Sequence, residues 1–148
     1  MTRRSRRSNP SDSRRFEDWM NAAYDDYRAV ELLRQDSTLN NMTAFHCQQC
    51  AEKSLKGYIL AKDNQPVDGH NLTWLCKRAI RIDERFTQWL DESAALNKFY
   101  IETRYPTDIP TEISDEETAR LAEMTRQLFF YVAEELGVVE QLDELEAY

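Results

Sequence analysis

The stretch FHCQQCAEKSLKG at residues 45–57 decides most of what can be read from this 148-residue chain. Wound into a helix at about 100° per residue, it separates into an apolar and a polar arc. The apolar arc, continued on both sides of the stretch, contains Ala44, Cys47, Ala51, Leu55, Tyr58 and Ile59. The polar arc contains His46, Gln49, Glu52, Lys53 and Lys56. We therefore expect one arc to face a core and the other to carry a polar site.

Residues that interrupt regular structure are scarce, with three glycines and four prolines in the whole chain. Because Gly and Pro separate short strands, long stretches without them favour an all-α protein, and the length favours one domain with a real core. No apolar run approaches the roughly 18 residues of a membrane span, and no apolar signal-peptide core follows the N-terminal arginines. We expect a cytoplasmic protein.

Apolar spacing predicts a first helix over residues 15–34, where aromatic and aliphatic residues recur every three or four positions. A second helix is predicted over residues 42–62, and Pro66 and Gly69 prevent its continuation. Asn71 is placed to cap a short third helix.

A fourth helix is predicted over residues 83–104, with Pro106 as its stop. Ser114 and Glu117 have the spacing of a capping box and predict the start of the last helix. Gly137 supplies its C-terminal stop. Residues 137–148 then form an acidic tail, with room for one further helical turn.

Charge is unevenly distributed along the chain. Residues 1–15 hold six arginines and one acid, Asp12, although the whole chain carries a net charge of −8. We interpret residues 1–15 as a basic, flexible arm. It contacts RNA or an acidic surface, or else it is only solvated. Asp12 or Ser13 is placed to cap the first helix. The acidic remainder does not favour general nucleic-acid binding, which depends on clustered Lys and Arg.

Three cysteines, Cys47, Cys50 and Cys76, do not form a disulfide framework. The CxxC spacing of the first two lies in mid-helix, where no helix dipole activates a thiol, and no second CxxC completes a zinc site. We interpret all three as small apolar helix residues and assign no metal site.

Three motifs in a fixed order carry a resemblance to a known family: FHCQQCAEKSLKG at 45–57, HNL at 70–72 and TRYP at 103–106, after an aromatic and alanine-rich first helix. The chain resembles the HEPN domain, a small prokaryotic helical domain often encoded beside a minimal nucleotidyltransferase. The resemblance spans residues 16–136. It implies HEPN topology, an up-and-down bundle of four main helices plus one short helix.

The resemblance also implies a homodimer, since family members are commonly dimeric. Aromatic residues exceed what one small core needs, and we expect some of them at a two-fold interface. The residues in question are Trp19, Tyr24, Tyr27, Phe99, Tyr100, Phe129, Phe130 and Tyr131.

By the same resemblance, the end of the fourth helix faces the polar arc of the second. Arg104 and Tyr105 would then lie near His46, Gln49 and Lys53 and form a cleft for the phosphate of a nucleotide or RNA. Arginine suits bidentate recognition of phosphate, and Tyr105 would stack or donate its hydroxyl. Secondary candidates are Glu52, Lys56 and His70.

Each of these residues also has a purely structural interpretation. Arg104 would then pair with Glu52 or with Asp25 or Asp26 of the first helix and lock the bundle. Glu52 and Lys56 have the i, i+4 spacing of a helical ion pair. His46 would be a half-buried, hydrogen-bonded residue, and His70 would order the loop before Asn71.

Ribonuclease members of the superfamily carry an arginine followed after a short interval by a histidine. The residues after Arg104 read YPTDIPT, without a histidine, and neither His46 nor His70 follows an arginine at that interval. We therefore assign no catalytic residue and no cofactor beyond a possible bound nucleotide.

The resemblance thus implies a nucleotide- or RNA-phosphate-binding subunit of a two-component system with a minimal nucleotidyltransferase, of the toxin–antitoxin kind. Two alternatives stay open. One is a metal-independent ribonuclease toxin with an unusual site, and the other is a purely structural dimeric adaptor.

Overall fold

A computed structural model describes residues 13–100 and 112–146, with side chains as far as Leu142. All regular structure in these ranges is helical, which confirms the predicted all-α class. The α-helices are α1 Phe16–Leu33, α2 Asn40–Asp63, α3 Leu72–Ile82, α4 Leu90–Leu96, α5 Asp115–Glu135 and α6 Val139–Glu146. Residues 1–12 of the predicted basic arm, including Asp12, and the predicted stop at Pro106 lie outside the described residues.

The longest helix, α2, lies at the centre and packs against α1, α3, α4 and α5. Its neighbours cover it on several sides, so 14 of its 24 residues are buried. All six residues of the predicted apolar arc are among them, which confirms that arc. The polar arc, however, is not an exposed face, because Glu52 and Lys56 are also buried.

The contact between α1 and α2 depends on Gly57. A Cβ atom at this position would lie 3.2 Å from Met20 Sδ and 3.2 Å from Trp19 Cβ, both on α1. These distances are tighter than ordinary van der Waals contacts. Gly57 therefore lets the two helix backbones approach closely, and this approach covers the side of α2 that carries Lys56.

Two predicted helix starts are confirmed by their caps. The side chain of Asn71 accepts a hydrogen bond from Trp74 N (3.1 Å) at the start of α3. At the start of α5, Ser114 Oγ accepts one from Glu117 N (3.0 Å). The Glu117 carboxylate pairs with Lys98 (3.5 Å), so only the Ser114 half of the predicted capping box is observed.

Among the other helix ends, the start of α1 differs from the prediction. Ser13 does not cap α1; its hydroxyl donates to Asp18 Oδ2 (2.7 Å) and accepts from Arg15 N (3.0 Å). Asn64, in the left-handed region at φ 55°, ends α2 before Pro66 is reached. Gly137 follows α5 at φ 70°, which confirms the predicted stop, because this conformation favours glycine.

The predicted continuous fourth helix over residues 83–104 is wrong in its described part, residues 83–100. The chain forms a 3₁₀ segment at Glu84–Trp89, then α4, then a 3₁₀ turn at Asn97–Phe99, and it is extended at Tyr100. With three residues per turn, a 3₁₀ segment places positions i and i+3 on one side. Phe86 and Trp89 both become buried in this way. Within the described ranges, α1, α2 and α5 are the long helices, and shorter elements pack around them.

Half of the aromatic residues expected at a dimer interface lie in the core of one chain. Trp19, Tyr24, Phe99 and Phe129 are buried there and are not available to a dimer interface.

The segment that we predict as an acidic tail also contributes to the core. Its residues Val138 and Leu142 are buried against the bundle. Among the described helices, none is both long and apolar enough to cross a membrane.

Candidate functional site

Six of the eight predicted site residues lie in the described part of the chain. Five are on α2 and His70 is in the loop between α2 and α3. Arg104 and Tyr105 lie outside the described residues. The six form two hydrogen-bonded clusters, each built around one buried carboxylate.

The first cluster joins α1 to α2 through Asp26. Its Oδ1 lies 2.9 Å from His46 Nδ1, and its Oδ2 accepts a hydrogen bond of 2.6 Å from Lys53 Nζ. Asp26 is buried, whereas the side chains of His46 and Lys53 are 25% and 21% exposed. One carboxylate thus fixes a histidine and a lysine, seven residues apart on α2, at the edge of the solvent.

The contact with Asp26 defines the chemistry of His46. An ionised carboxylate only accepts hydrogen bonds, so the proton must be on Nδ1. In the neutral ring, Nε2 then keeps its lone pair and can accept a hydrogen bond or a proton. A histidine oriented by a carboxylate is also the arrangement that general bases use.

The second cluster centres on Glu52, which is buried on α2. Its Oε1 accepts from Gln48 Nε2 (3.2 Å) and lies 2.9 Å from His70 Nδ1, and its Oε2 lies 3.5 Å from Lys56 Nζ. The Lys56 ammonium also lies 5.5 Å from the centroid of the Trp19 ring on α1, within the range of a cation–π contact. The predicted Glu52–Lys56 ion pair is therefore confirmed, and it is buried.

Two further contacts extend this second cluster. Gln49 Nε2 donates to Gln48 Oε1 at 2.6 Å, which brings the predicted Gln49 into it. The His70 ring stacks on Tyr100, with centroids 4.0 Å apart and planes inclined by 13°. His70 therefore joins α2 to the last described residue before the segment that contains Arg104 and Tyr105.

The two clusters share one pattern of charge. Asp26 and Glu52 each bind one lysine and one histidine. With neutral histidines, each cluster has no net charge. A phosphate would therefore meet cations that already have a carboxylate partner, and its binding depends on how readily Lys53 and His46 exchange Asp26 for a new anion.

The thiols do not contribute to a site. Burial raises the pKa of Cys47 to about 12 and the pKa of Cys50 well above its usual value. Both therefore stay protonated and unreactive. Within the described residues, no group of three or more His, Cys, Asp or Glu side chains could hold a metal ion.

A cavity of about 490 Å³ lies elsewhere, between the N-terminal ends of α2 and α5. Ser37, Asn40 and Asp115 are among its lining residues. None of the six predicted site residues in the described part of the chain lines it.

Two members of these clusters were not predicted as site residues. Asp26 follows Ala23 by three positions and so continues the buried stripe of α1, where a carboxylate needs a partner. Gln48 lies one turn from Ala44 and Ala51, on the apolar side of α2, and is fully buried. In both cases the available signal was a polar residue at a core position of the helical pattern.

Comparison with known protein families identifies the domain. The family model described as the HEPN domain matches residues 16–136, most of the chain. The chain belongs to the HEPN family. Among curated proteins, none matches this HEPN chain.

Two solved structures share its architecture. One is the crystal structure of TT1696 from Thermus thermophilus, with a TM-score of 0.63 and 25% identity over 82% of this chain and 98% of TT1696. The other is ST0689, an archaeal HEPN homologue, with a TM-score of 0.62 and 22% identity over 82% of this chain and 97% of ST0689. The resemblance drawn from the three sequence motifs is thereby confirmed at the level of family and fold.

Proposed function

We propose that this HEPN protein binds the phosphate of a nucleotide or RNA on the polar side of α2. It would act as the homodimeric partner of a minimal nucleotidyltransferase in a two-component, toxin–antitoxin-like system. The observation that carries the proposal is the placement of His46 and Lys53 side by side on Asp26, at the edge of the solvent.

These two side chains suit a phosphate. Lys53 offers three hydrogen-bond donors, of which Asp26 Oδ2 takes one. Phosphate oxygens accept hydrogen bonds from the same donors as carboxylate oxygens, so an incoming phosphate would share Lys53 with Asp26 or replace it. The protonated form of His46 would add a second charged donor.

Arg104 and Tyr105 complete the proposed site as its main phosphate ligand and its stacking or hydroxyl group. The positions of the flanking residues support this. Before the segment, Tyr100 stacks on His70, which contacts Glu52 of α2. After it, Asp115 accepts a hydrogen bond from Asn40 Nδ2 (2.7 Å).

Asn40 and Glu52 are twelve residues apart on α2, or about 18 Å along the helix axis. His46 and Gln49 lie between these two positions. The proposal places Arg104 beside this stretch of α2.

Calorimetric titration with ATP tests the proposal. Wild type and Arg120→Ala, which removes an exposed arginine of α5, should both bind saturably. Arg104→Ala should lose at least tenfold in affinity, since charged hydrogen bonds to phosphate are each worth about 1.5–3 kcal/mol. Equal affinity in wild type and Arg104→Ala would show that Arg104 does not contact the phosphate. No binding of ATP or of a short RNA to wild type would defeat the proposal.

Asp26→Asn separates this function from a purely structural role of the same cluster. As an internal competitor for Lys53 and His46, Asp26 should weaken anion binding, so Asp26→Asn should bind ATP more tightly than wild type. If the cluster only locks α1 to α2, the variant should lose stability and gain no affinity. Asp25→Asn, on the exposed side of α1, is the matched control and should change neither quantity.

A ribonuclease activity is the second candidate, and the Asp26–His46 pair is the observation in its favour. With Nδ1 held by the carboxylate, His46 Nε2 could accept the proton of a ribose hydroxyl. The purified protein would then cleave RNA in the presence of EDTA, and His46→Ala would abolish cleavage. Cleavage that persists in His46→Ala would point to a contaminant or to another base.

A further inference from the structure

We propose that the solvent face of α3 is a docking surface for single-stranded nucleic acid. This face is defined by Trp74, Lys77, Arg78 and Arg81. It does not depend on the phosphate site proposed on α2, because none of its residues belongs to either carboxylate cluster.

The sequence of α3 sets it apart electrostatically from the rest of an acidic chain. Residues 72–82 contain three cations and no acid, although the chain as a whole carries a net charge of −8. One side of this helix carries Trp74, Lys77, Arg78 and Arg81, because the three cations lie three, four and seven residues after the tryptophan. The opposite side, with Leu72, Leu75, Cys76 and Ala79, is buried.

Trp74 is exposed to an unusual degree for its type. It is 45% exposed, whereas Trp19 and Trp89 are 5% and 4% exposed. The Arg78 guanidinium lies 5.6 Å from the centroid of the indole ring, and Arg78 Nη2 in turn lies 3.1 Å from Asp63 Oδ2 at the end of α2. The ring is thus supported by a cation that is itself anchored to the neighbouring helix.

The remaining two cations are available to a ligand. Lys77 and Arg81 are exposed, and among the described residues neither forms a salt bridge. On α2, by contrast, Lys53 and Lys56 each contact a carboxylate. Free cations next to Trp74 therefore distinguish α3 from the polar side of α2.

Single-stranded nucleic acid is the partner whose chemistry matches this face. An unpaired base offers a flat ring to stack on the indole, and the phosphates that flank it offer negative charge to Lys77 and Arg81. A paired duplex keeps its bases inside the stack and cannot use Trp74 in this way. An acidic polypeptide would use the two cations but has no need of the exposed indole.

Binding can be measured on the full chain with a labelled oligouridine of about 12 nucleotides, a length in the range that such surfaces cover. Fluorescence anisotropy gives the affinity, and quenching of intrinsic fluorescence reports on Trp74, the exposed tryptophan. We expect saturable binding with quenching, and an affinity that falls steeply as salt rises from about 50 to 200 mM.

Two sets of variants test the assignment. Lys77→Glu/Arg81→Glu should weaken binding at least tenfold and reduce the salt dependence, whereas Arg28→Glu/Arg120→Glu reverses two exposed arginines on α1 and α5 and should leave most of the affinity. Trp74→Ala should weaken binding about tenfold, and Trp74→Phe should recover part of it because a stacking ring remains.

Four outcomes would overturn the proposal. Equal losses of affinity in the two charge-reversal variants would show that only net charge matters. Unchanged affinity in Trp74→Ala would show that Trp74 does not stack on a base. Equal binding of a duplex of the same length would exclude recognition of unpaired bases. Equal binding of polyglutamate would assign the face to an acidic polypeptide instead.

Discussion

The polar side of α2 and the solvent face of α3 contain similar residues in opposite situations. Each has cations beside a tryptophan: Lys56 lies 5.5 Å from the Trp19 ring, and Arg78 lies 5.6 Å from the Trp74 ring. On the polar side of α2, Lys53 is bound to Asp26 and Lys56 to Glu52, and both carboxylates are buried. On α3, Lys77 and Arg81 are exposed to water. The role of a cation in this protein is therefore set by its carboxylate partner and by water, not by residue type.

The difference has an energetic side. A buried ion pair offsets a large desolvation cost only while both partners are present, so loss of one partner is expensive. An exposed cation has its own hydration and can be changed at little cost to the fold. Stability should accordingly depend strongly on Glu52 and hardly at all on Lys77 or Arg81, whereas binding to polyanions should show the reverse.

The largest effect is expected for Glu52→Ala. The change leaves Lys56 buried without its carboxylate and removes the acceptor used by Gln48 and His70. We expect the free energy of unfolding to fall by about 3–5 kcal/mol, measured by urea denaturation. Glu84→Ala, at an exposed acid, is the control and should stay within about 0.5 kcal/mol of wild type.

The same experiment can separate burial from pairing. In Glu52→Gln/Lys56→Met both charges are gone and the volume is largely kept, so the double variant should be more stable than Glu52→Ala. If Glu52→Ala cost less than about 1 kcal/mol, the cluster would have to be well hydrated in solution. The contrast with α3 would then fail.

A somewhat smaller loss is expected from widening the α1–α2 contact. In Gly57→Val the added methyl groups would meet Met20 and the backbone-proximal Trp19 Cβ, so the helices must move apart. We expect the free energy of unfolding to fall by about 1–3 kcal/mol.

Gly57→Ala serves as the graded control for this contact. It gains helix propensity of about 1 kcal/mol, which offsets part of the strain from one added carbon. Its stability should therefore lie between that of wild type and that of Gly57→Val. A Gly57→Val protein as stable as wild type would show that the close approach is not required.

A third, intermediate effect concerns a partly exposed ion cluster at the end of α3. Asp83 Oδ1 accepts from Arg85 Nε (3.1 Å), and Asp83 Oδ2 accepts a hydrogen bond from the Tyr131 hydroxyl of α5. The side-chain hydrogen bond from Arg85 and then that from Tyr131 lower the pKa of Asp83 from its usual 3.8 to about 2. Because the folded state favours the ionised form, this stabilisation is complete above about pH 4 and is lost as the pH falls towards 2.

Acid denaturation followed by circular dichroism tests this sign. Asp83→Asn should be less stable than wild type at neutral pH, and the difference should shrink as the pH falls from about 4 to 2. Asp68→Asn, at an exposed loop acid, should follow the wild-type curve. A constant difference between Asp83→Asn and wild type across this range would contradict the assignment.

The smallest effect on stability is expected on α3. Lys77→Glu/Arg81→Glu should change the free energy of unfolding by no more than about 0.5 kcal/mol, because both side chains are solvated and their loss leaves no buried group without a partner. A loss above about 2 kcal/mol in urea denaturation would show that the two cations hold the fold.

The pattern of apolar residues was sufficient to predict α1 and α2 to within a few residues, and the capping residues Asn71 and Ser114 predict the starts of α3 and α5. These features depend on interactions within one helix or one turn, which local sequence encodes directly. The fourth helix was mispredicted because Phe86 and Trp89 fit a helical period equally well in α and 3₁₀ geometry. In the 3₁₀ geometry that the chain adopts, Phe86 packs against Tyr58 and Tyr131.

The candidate site was predicted only in part for a related reason. The polar arc of α2 was correct as a set of residues but wrong as an exposed surface, because the burial of Glu52 and Lys56 depends on the helices packed around α2. The sequence indicates Asp26 only as an alternative partner of Arg104. Its contacts with His46 and Lys53 join residues 20 and 27 positions apart, a separation that helical periodicity does not address.

The helical class, the HEPN family and the set of residues on the polar side of α2 all follow from the sequence alone. Periodicity, caps and short motifs suffice for these properties, because each is a property of one segment of chain. Which carboxylate each cation meets, and which cations remain in water, is settled by tertiary packing. Those outcomes depend on close approach between segments, as at Gly57, where the absence of a single Cβ lets α1 pack over the charged side chains of α2.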